Sequence, residues 1–188
     1  MSHLDYRTVH PFSKSYWRVR EVYLAVFPEN ERFPYLALTL SGYRYQHHLQ
    51  AIYDEDRFIG MVYYVKTKAF LYLLFFGVSP QAQSSGYGSQ ILNDLKAKAA
   101  DRTFILAVEA LDEVVDNLDQ RKRRVAFYER HGFQISPYLY IEKNDRYHLM
   151  ATKPIESQKR LEHLLKQAVC YLVPISIKKM RNSLKIRK

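Results

Sequence analysis

An α/β fold, with a central mixed and mostly antiparallel sheet flanked by helices, is predicted for this 188-residue chain by three observations. Apolar residues make up 47% of it and aromatic ones 14%, enough to build a core and more than a disordered polypeptide carries. The spacing of those residues switches repeatedly between a helical period of about 3.6 and a strand period of two. Loops rich in glycine, proline and charge separate the segments into the order β-α-α-β-β-β-α-β-α-β-β. The length suits one domain, placed at residues 1–152, followed by a basic helical extension at residues 153–188.

Residues 4–9 read as a short strand. From Ser13 to Phe27, the residues Tyr16, Val19, Tyr23, Val26 and Phe27 recur at three- and four-residue spacings, one face of a helix that Pro28 ends. Beyond the loop closed by Pro34, a second short helix is expected over Tyr35–Leu40, before Gly42. Leu49–Tyr53 and Arg57–Val65 form a hairpin around Asp54-Glu55-Asp56, and Phe70–Val78, apolar on both faces, is expected as a buried strand in the middle of the sheet. A polar glycine loop, Gln81 to Gly88, then opens a helix carrying Ile91, Leu92, Leu95 and Ala99. Thr103–Val108 is strand-like, and the polar stretch Asp112–Arg124 leads into a helix that ends near His131 with Gly132 as its cap. Phe133–Glu142 and Tyr147–Thr152 make a closing hairpin across Lys143–Arg146. In the extension, Leu161, Leu164, Leu165, Ala168, Val169 and Leu172 form a helical stripe that packs on the domain, and the end from Ile175 onward is expected to fray into solvent. Membrane-surface contact, a partner groove and homodimerisation are the competing roles for this segment.

The formal net charge of +10 invites a nucleic-acid or lipid partner, but its distribution argues otherwise. Residues 153–188 carry ten Lys/Arg against two Glu, a net of +8, so the preceding 152 residues hold only +2. No nucleic-acid partner is expected, because the cations concentrate in one tail and no recognition motif accompanies them. The first thirty residues lack the apolar stretch of a signal peptide, and no run approaches the ~18–20 apolar residues of a membrane span. The single Cys170 cannot form an internal disulfide, which fits a reducing compartment; a cytoplasmic location is expected. The histidines make no metal-ligand pattern with that cysteine, no metal is expected, and surface or helix-end positions are assigned to them.

The stretch from Phe75 to Leu92 carries the chemistry. A buried strand ends at Val78, and Gly86 and Gly88 let the backbone turn so that several N–H groups point into one concavity at a helix N-terminus. Such a nest, with the positive end of the helix dipole behind it, binds a phosphate or pyrophosphate. Two familiar glycine motifs are excluded: a dinucleotide fingerprint needs a third glycine where Ile91 stands, and a P-loop needs Lys-Ser/Thr where Ser89-Gln90 follow Gly88. Taken alone, the two glycines are also compatible with an ordinary strand-to-helix turn.

In context, Gln83-Ser-Ser-Gly-Tyr-Gly88 resembles the Gln/Arg-x-x-Gly-x-Gly/Ala signature of the GNAT superfamily of acetyl-CoA-dependent N-acetyltransferases, with Val78 and Pro80 ahead of it. Ala126-Phe-Tyr-Glu-Arg-His-Gly-Phe133 is similar to the superfamily's second landmark, a tyrosine-bearing helix ending in Gly-Phe. The resemblance covers residues 4–152 and the whole order of elements. It implies a GNAT-like acyl-CoA N-acyltransferase fold and acetyl-CoA as the acetyl donor. Backbone N–H groups of Gly86, Tyr87, Gly88 and Ser89 would cradle the donor's pyrophosphate and Gln83 would close the loop. Gly77 and Val78 would offer backbone groups to the pantetheine arm and the acetyl carbonyl. A neutral amine would attack the thioester directly, the Val78 N–H would stabilise the tetrahedral oxyanion, and Tyr128 would protonate the departing thiolate. Tyr128 as a plain core aromatic is the competing role. Glu109, Glu31 or a water chain would relieve the amine of its proton. One departure is that Arg121, within the cationic run Arg121–Arg124, stands where many relatives carry an asparagine; that run would either approach the 3′-phosphate of coenzyme A or form a solvated face.

The loop Phe27-Pro-Glu-Asn-Glu-Arg-Phe-Pro34 is similar to a segment of some small-amine members, where Glu29 or Glu31 would attract a cationic amine. The expected acceptor is therefore the primary amine of a small molecule. A protein or peptide acetyltransferase and a non-catalytic acyl-CoA-binding module stay open as alternatives.

Overall fold

Alternating burial along Leu4–Thr8 (β1) seats Leu4 in the core, and Ser13 then starts the first long helix, its hydroxyl accepting the Tyr16 N–H at 3.2 Å. That helix, α1 (Lys14–Val26), buries Tyr16, Val19, Val22 and Tyr23, and the extended Phe27 and Pro28 end it. A 3₁₀ turn (Glu29–Glu31) connects it to α2 (Tyr35–Ser41), whose Tyr35 hydroxyl donates to Tyr16 O at 2.8 Å. The strands β2 (His47–Asp54), β3 (Arg57–Lys66) and β4 (Phe70–Val78) follow, then a 3₁₀ turn (Pro80–Ala82) and α3 (Tyr87–Ala99). The structure, a computed structural model, describes residues 3–111, 117–142, 145–169 and 174–180. The chain divides into two units, Met1–Ala100 and Asp101–Lys188.

In the first unit the strands run β1-β2-β3-β4, each antiparallel to its neighbour. Leu49, Tyr63, Phe75 and Gly77 face α1 and α2: Tyr23 meets Phe75 edge-on at 5.1 Å, and Gly42, which caps α2, lies against Leu49. The alternate residues face α3, which buries Ile91, Leu92, Leu95 and Ala99 and adds polar contacts. Tyr6 donates to Asp94 at 2.9 Å, the Lys98 ammonium lies 4.0 Å over the Tyr6 ring, and Lys98 and Tyr64 both donate to the Gln50 side-chain oxygen. Burial raises the Tyr6 hydroxyl far above the usual phenol range, so it stays a donor to Asp94.

The second unit contains β5 (Thr103–Glu109), α4 (Leu118–Arg130), β6 (Gln134–Glu142), β7 (Asp145–Ala151), α5 (Gln158–Ala168) and β8 (Ile175–Lys179), with strand order β5-β7-β6-β8, all antiparallel. The end of α4 is a Schellman turn: Phe133 N–H reaches Tyr128 O and Gly132 N–H reaches Glu129 O. Phe104, Phe133 and Tyr128 meet edge-on in series behind it.

Two expectations change. The segment from Ile175 is not a frayed end: β8 pairs with β6 from Ile175↔Glu142 to Lys179↔Tyr138. Its isoleucines at alternate positions, with serine and lysines at the others, suit an edge position, where one side of the strand meets solvent. Nor are all histidines at the surface, since His47 and His148 are 3% and 2% exposed. The helical stripe of the extension holds, with Leu161, Leu164, Leu165, Ala168 and Val169 buried. Residues 112–116, 143, 144, Cys170, Leu172 and 181–188 lie outside the described residues.

Candidate active site

The last residues of β4 are shaped by their partner strand. Ser79 N–H donates to Ile59 O at 2.8 Å, and Gly60 lies opposite Val78. The antiparallel alternation then turns the N–H and C=O of Gly77 toward β3 and those of Val78 away from it. Of the two residues expected to offer backbone groups, Val78 is the one whose main chain points outward from the pair. Gly77 contributes space: a Cβ there would stand 3.1 Å from Val22 Cγ1 and 3.6 Å from the Phe27 ring. Gly60 is more constrained still, since a Cβ would come within 2.2 Å of Gly77 O.

Beyond Val78 the loop folds back on the strand it leaves. Gln83 Nε2 donates to Val78 O at 3.3 Å, so the glutamine closes the loop by holding the strand end. The β2–β3 hairpin braces the same loop from outside, because Arg57 donates to Gln81 O and the Tyr87 hydroxyl to Asp54 Oδ2, each at 2.7 Å. The bond to Asp54 raises the Tyr87 hydroxyl above its ordinary pKa, so the brace persists across physiological pH. Asp54, Arg57 and Gly60 were not foreseen as contributors; a lone glycine inside a strand pattern was the available sign for Gly60.

Gly86 is the N-cap of α3 with φ +82°, and no side chain caps the helix. A Cβ at Gly86 would meet nothing within 4 Å. The Ser89 and Gln90 N–H groups already donate to Gly86 O, at 3.1 and 3.2 Å. The N–H groups of Gly86, Tyr87 and Gly88 are thus left at the open helix end, three donors rather than the expected four. An uncapped, solvent-facing helix start with a glycine in the left-handed region fits a phosphate group, and these residues would hold the pyrophosphate of coenzyme A.

The second unit presents the remaining candidates. Tyr128 is 9% exposed, and burial pushes its hydroxyl up to about 12, with Arg124 acting in the opposite direction. It is a phenol that keeps its proton at neutral pH, and it has no hydrogen-bond partner among the described residues. Glu109, at the end of β5, is held on both oxygens. Arg121 Nε lies 3.3 Å from Oε1 and Arg124 donates to Oε2 at 2.7 Å, with Asn117 adding a 3.4 Å contact. Arg121 also donates to Ala110 O at 2.9 Å. Two cations of the run expected near a 3′-phosphate are therefore spent on the strand end, and the Glu109 carboxylate sits inside a charge cluster. Glu31 occupies the 3₁₀ turn after α1, half-buried and engaged by other groups. Among the described residues no group of His, Cys, Asp and Glu could hold a metal ion.

A buried strand whose last residue turns its amide outward leads into an open helix start, an arrangement that suits an acyl donor carrying a phosphate group. Residues 45–135 match the family profile described as an acetyltransferase (GNAT) domain, and the fold of the chain is the GNAT fold. Among solved structures, a GNAT-family protein from Bacteroides thetaiotaomicron superposes with a TM-score of 0.71 at 26% identity, covering 88% of this chain and 97% of its own. An aminoglycoside 6′-N-acetyltransferase complexed with coenzyme A gives 0.59 at 16%, covering 81% and 99%. The ribosomal-protein-S18-alanine N-acetyltransferase of Escherichia coli gives 0.55 at 12%, covering 83% and 97%. The last two establish likeness of fold alone. No curated protein matches the sequence.

Proposed function

We propose that the chain transfers the acetyl group of acetyl-CoA to the primary amine of a small molecule, by direct attack in a ternary complex. The observation that carries this is the open start of α3, where three main-chain donors surround the left-handed Gly86 beside the outward-turned Val78. A structural relative complexed with coenzyme A supports the choice of donor. The Gly86, Tyr87 and Gly88 amides hold the pyrophosphate, with Ser89 at the same turn. Gln83 keeps the loop closed, Gly77 leaves room beside Phe27, and the Val78 N–H stabilises the oxyanion. Tyr128 delivers the proton to the thiolate, since a phenol held near 12 is fully protonated when the thiolate forms. Glu109, clasped by two arginines, orients the strand end rather than accepting a proton; the amine loses its proton to water or to Glu31.

Thiol release from acetyl-CoA against a panel of amines tests this directly. Turnover with small amines and a Tyr128→Phe loss of roughly a hundredfold or more in kcat, with acetyl-CoA affinity kept, is the expected result. Unchanged turnover in that variant removes Tyr128 as the acid. Modification of a peptide N-terminus, with small amines at background, replaces the small-molecule reading with a protein substrate.

A further inference from the structure

Arg32 follows the 3₁₀ turn between α1 and α2, half-buried, and its Nε is sealed from solvent without a hydrogen-bond partner. A guanidinium carries five donors and no acceptor and is charged at every physiological pH, so only an acceptor, best an anion, satisfies it. None is supplied among the described residues: Arg32 takes part in no ion pair, Glu29 points into solvent, and Glu31 is engaged by other groups. Leaving the Nε donor buried and unpaired costs stability, and folds retain that cost where a ligand removes it.

The surroundings indicate where that ligand lies. The Tyr23 hydroxyl accepts the Phe33 N–H at 2.7 Å and donates to Phe33 O at 3.3 Å, which fixes the chain next to Arg32. Burial raises that hydroxyl to about 12, with the Phe33 hydrogen bond and the Arg32 charge pulling the other way. Phe27 and Phe33, both half-buried, meet Phe75 at 4.9 and 6.0 Å, and the Phe27 ring is the one that borders Gly77. The loop that carries Arg32 is thus anchored beside an aromatic wall that reaches Gly77, the residue before Val78.

We infer that Arg32 receives a carboxylate carried by the acceptor, with Phe27, Phe33 and Phe75 against the acceptor's apolar body, so that the substrate is an apolar or aromatic amino acid rather than a polycationic amine. This rests on the acetyltransferase reading above and reverses the expectation that Glu29 or Glu31 selects the acceptor by its positive charge. A bidentate carboxylate pairing supplies the acceptor that Nε lacks.

The test uses the full chain and matched probes. Thiol release is measured with L-phenylalanine and with 2-phenylethylamine, which lacks the carboxylate, for the native chain, Arg32→Gln and Arg32→Lys. The expected result is a native kcat/KM ratio favouring L-phenylalanine, a fall in that ratio of about tenfold or more in Arg32→Gln, and partial retention in Arg32→Lys. A second measurement is independent of turnover: N-acetyl-L-phenylalanine should bind the native chain at least about tenfold more tightly than its neutral amide, and Arg32→Gln should abolish the difference. The urea midpoint of Arg32→Gln should equal or exceed the native value, which a structural arginine would not allow. A ratio indifferent to Arg32, a native preference for 2-phenylethylamine, or equal or absent binding of the two acetylated probes overturns the inference. If acetyl-CoA itself fails to bind, the acetyltransferase reading falls instead, and the probe-binding result still decides whether Arg32 is a carboxylate site.

Discussion

At position 86 the backbone holds φ at +82°, a region that costs a side-chain-bearing residue of order 1–3 kcal/mol, and the space around the missing Cβ is empty. Gly86→Val therefore acts by two routes that add: it strains the turn and fills the concavity in front of the three amides. The expected outcome is a rise of at least about tenfold in the KM for acetyl-CoA, checked by steady-state kinetics, with a smaller change in kcat at saturating donor. Tyr128→Phe should show the opposite split, because the hydroxyl is used only as charge leaves on sulfur. Since Tyr128 titrates near 12, any alkaline fall in the native rate below that pH belongs to another group, and the phenylalanine variant should keep its shape while losing height.

The close approach of β3 to β4 is an element-level constraint. A Cβ at Gly60 would sit 2.2 Å from Gly77 O, a backbone atom that cannot step aside without moving the strand end. Gly60→Ala should cost about 1–3 kcal/mol in urea unfolding and lower acetyl transfer even at saturating acetyl-CoA, because Val78 shifts with the strand. The order of elements was readable in the chain because each change of period is local: Tyr16, Val19 and Tyr23 announce a helix, and Phe70–Val78 announces a buried strand without reference to anything distant. The glycine loop was readable for the same reason. What escaped depends on partners remote in sequence. Nothing near Arg57 or Asp54 signals that their hairpin reaches Gln81 and Tyr87, and nothing at Gly77 tells that its amide faces β3. Ile175–Lys179 hid for a different reason, its two isoleucines being diluted by serine and lysines, so that only pairing with β6 reveals a strand.

On the scale of the whole molecule, one buried ring contributes to the loss of stability in acid. His47 Nδ1 lies 2.7 Å from the Tyr63 hydroxyl, which in turn lies 2.8 Å from Ser41 Oγ, and burial, with Arg44 and His48 adding to it, pushes His47 down to about 4. Because the unfolded ring titrates near 6.5, the neutral buried form stabilises the protein fully above that pH. The stability is lost as pH falls from there through 4, by at most roughly 3 kcal/mol. Urea unfolding of the native chain and His47→Gln at pH 7 and pH 4.5 should therefore show a larger acid loss for the native chain; equal losses would put the acid sensitivity elsewhere. The +10 charge bears on how copies of the protein behave toward one another. Among the described residues β8 pairs on one side alone, which leaves a row of amides and carbonyls that a second molecule would otherwise extend into a fibril. Lys178 and Lys179 stand on that rim, and bringing two such rims together would force like charges into register. Lys178 and Lys179 act there as gatekeepers against self-templating.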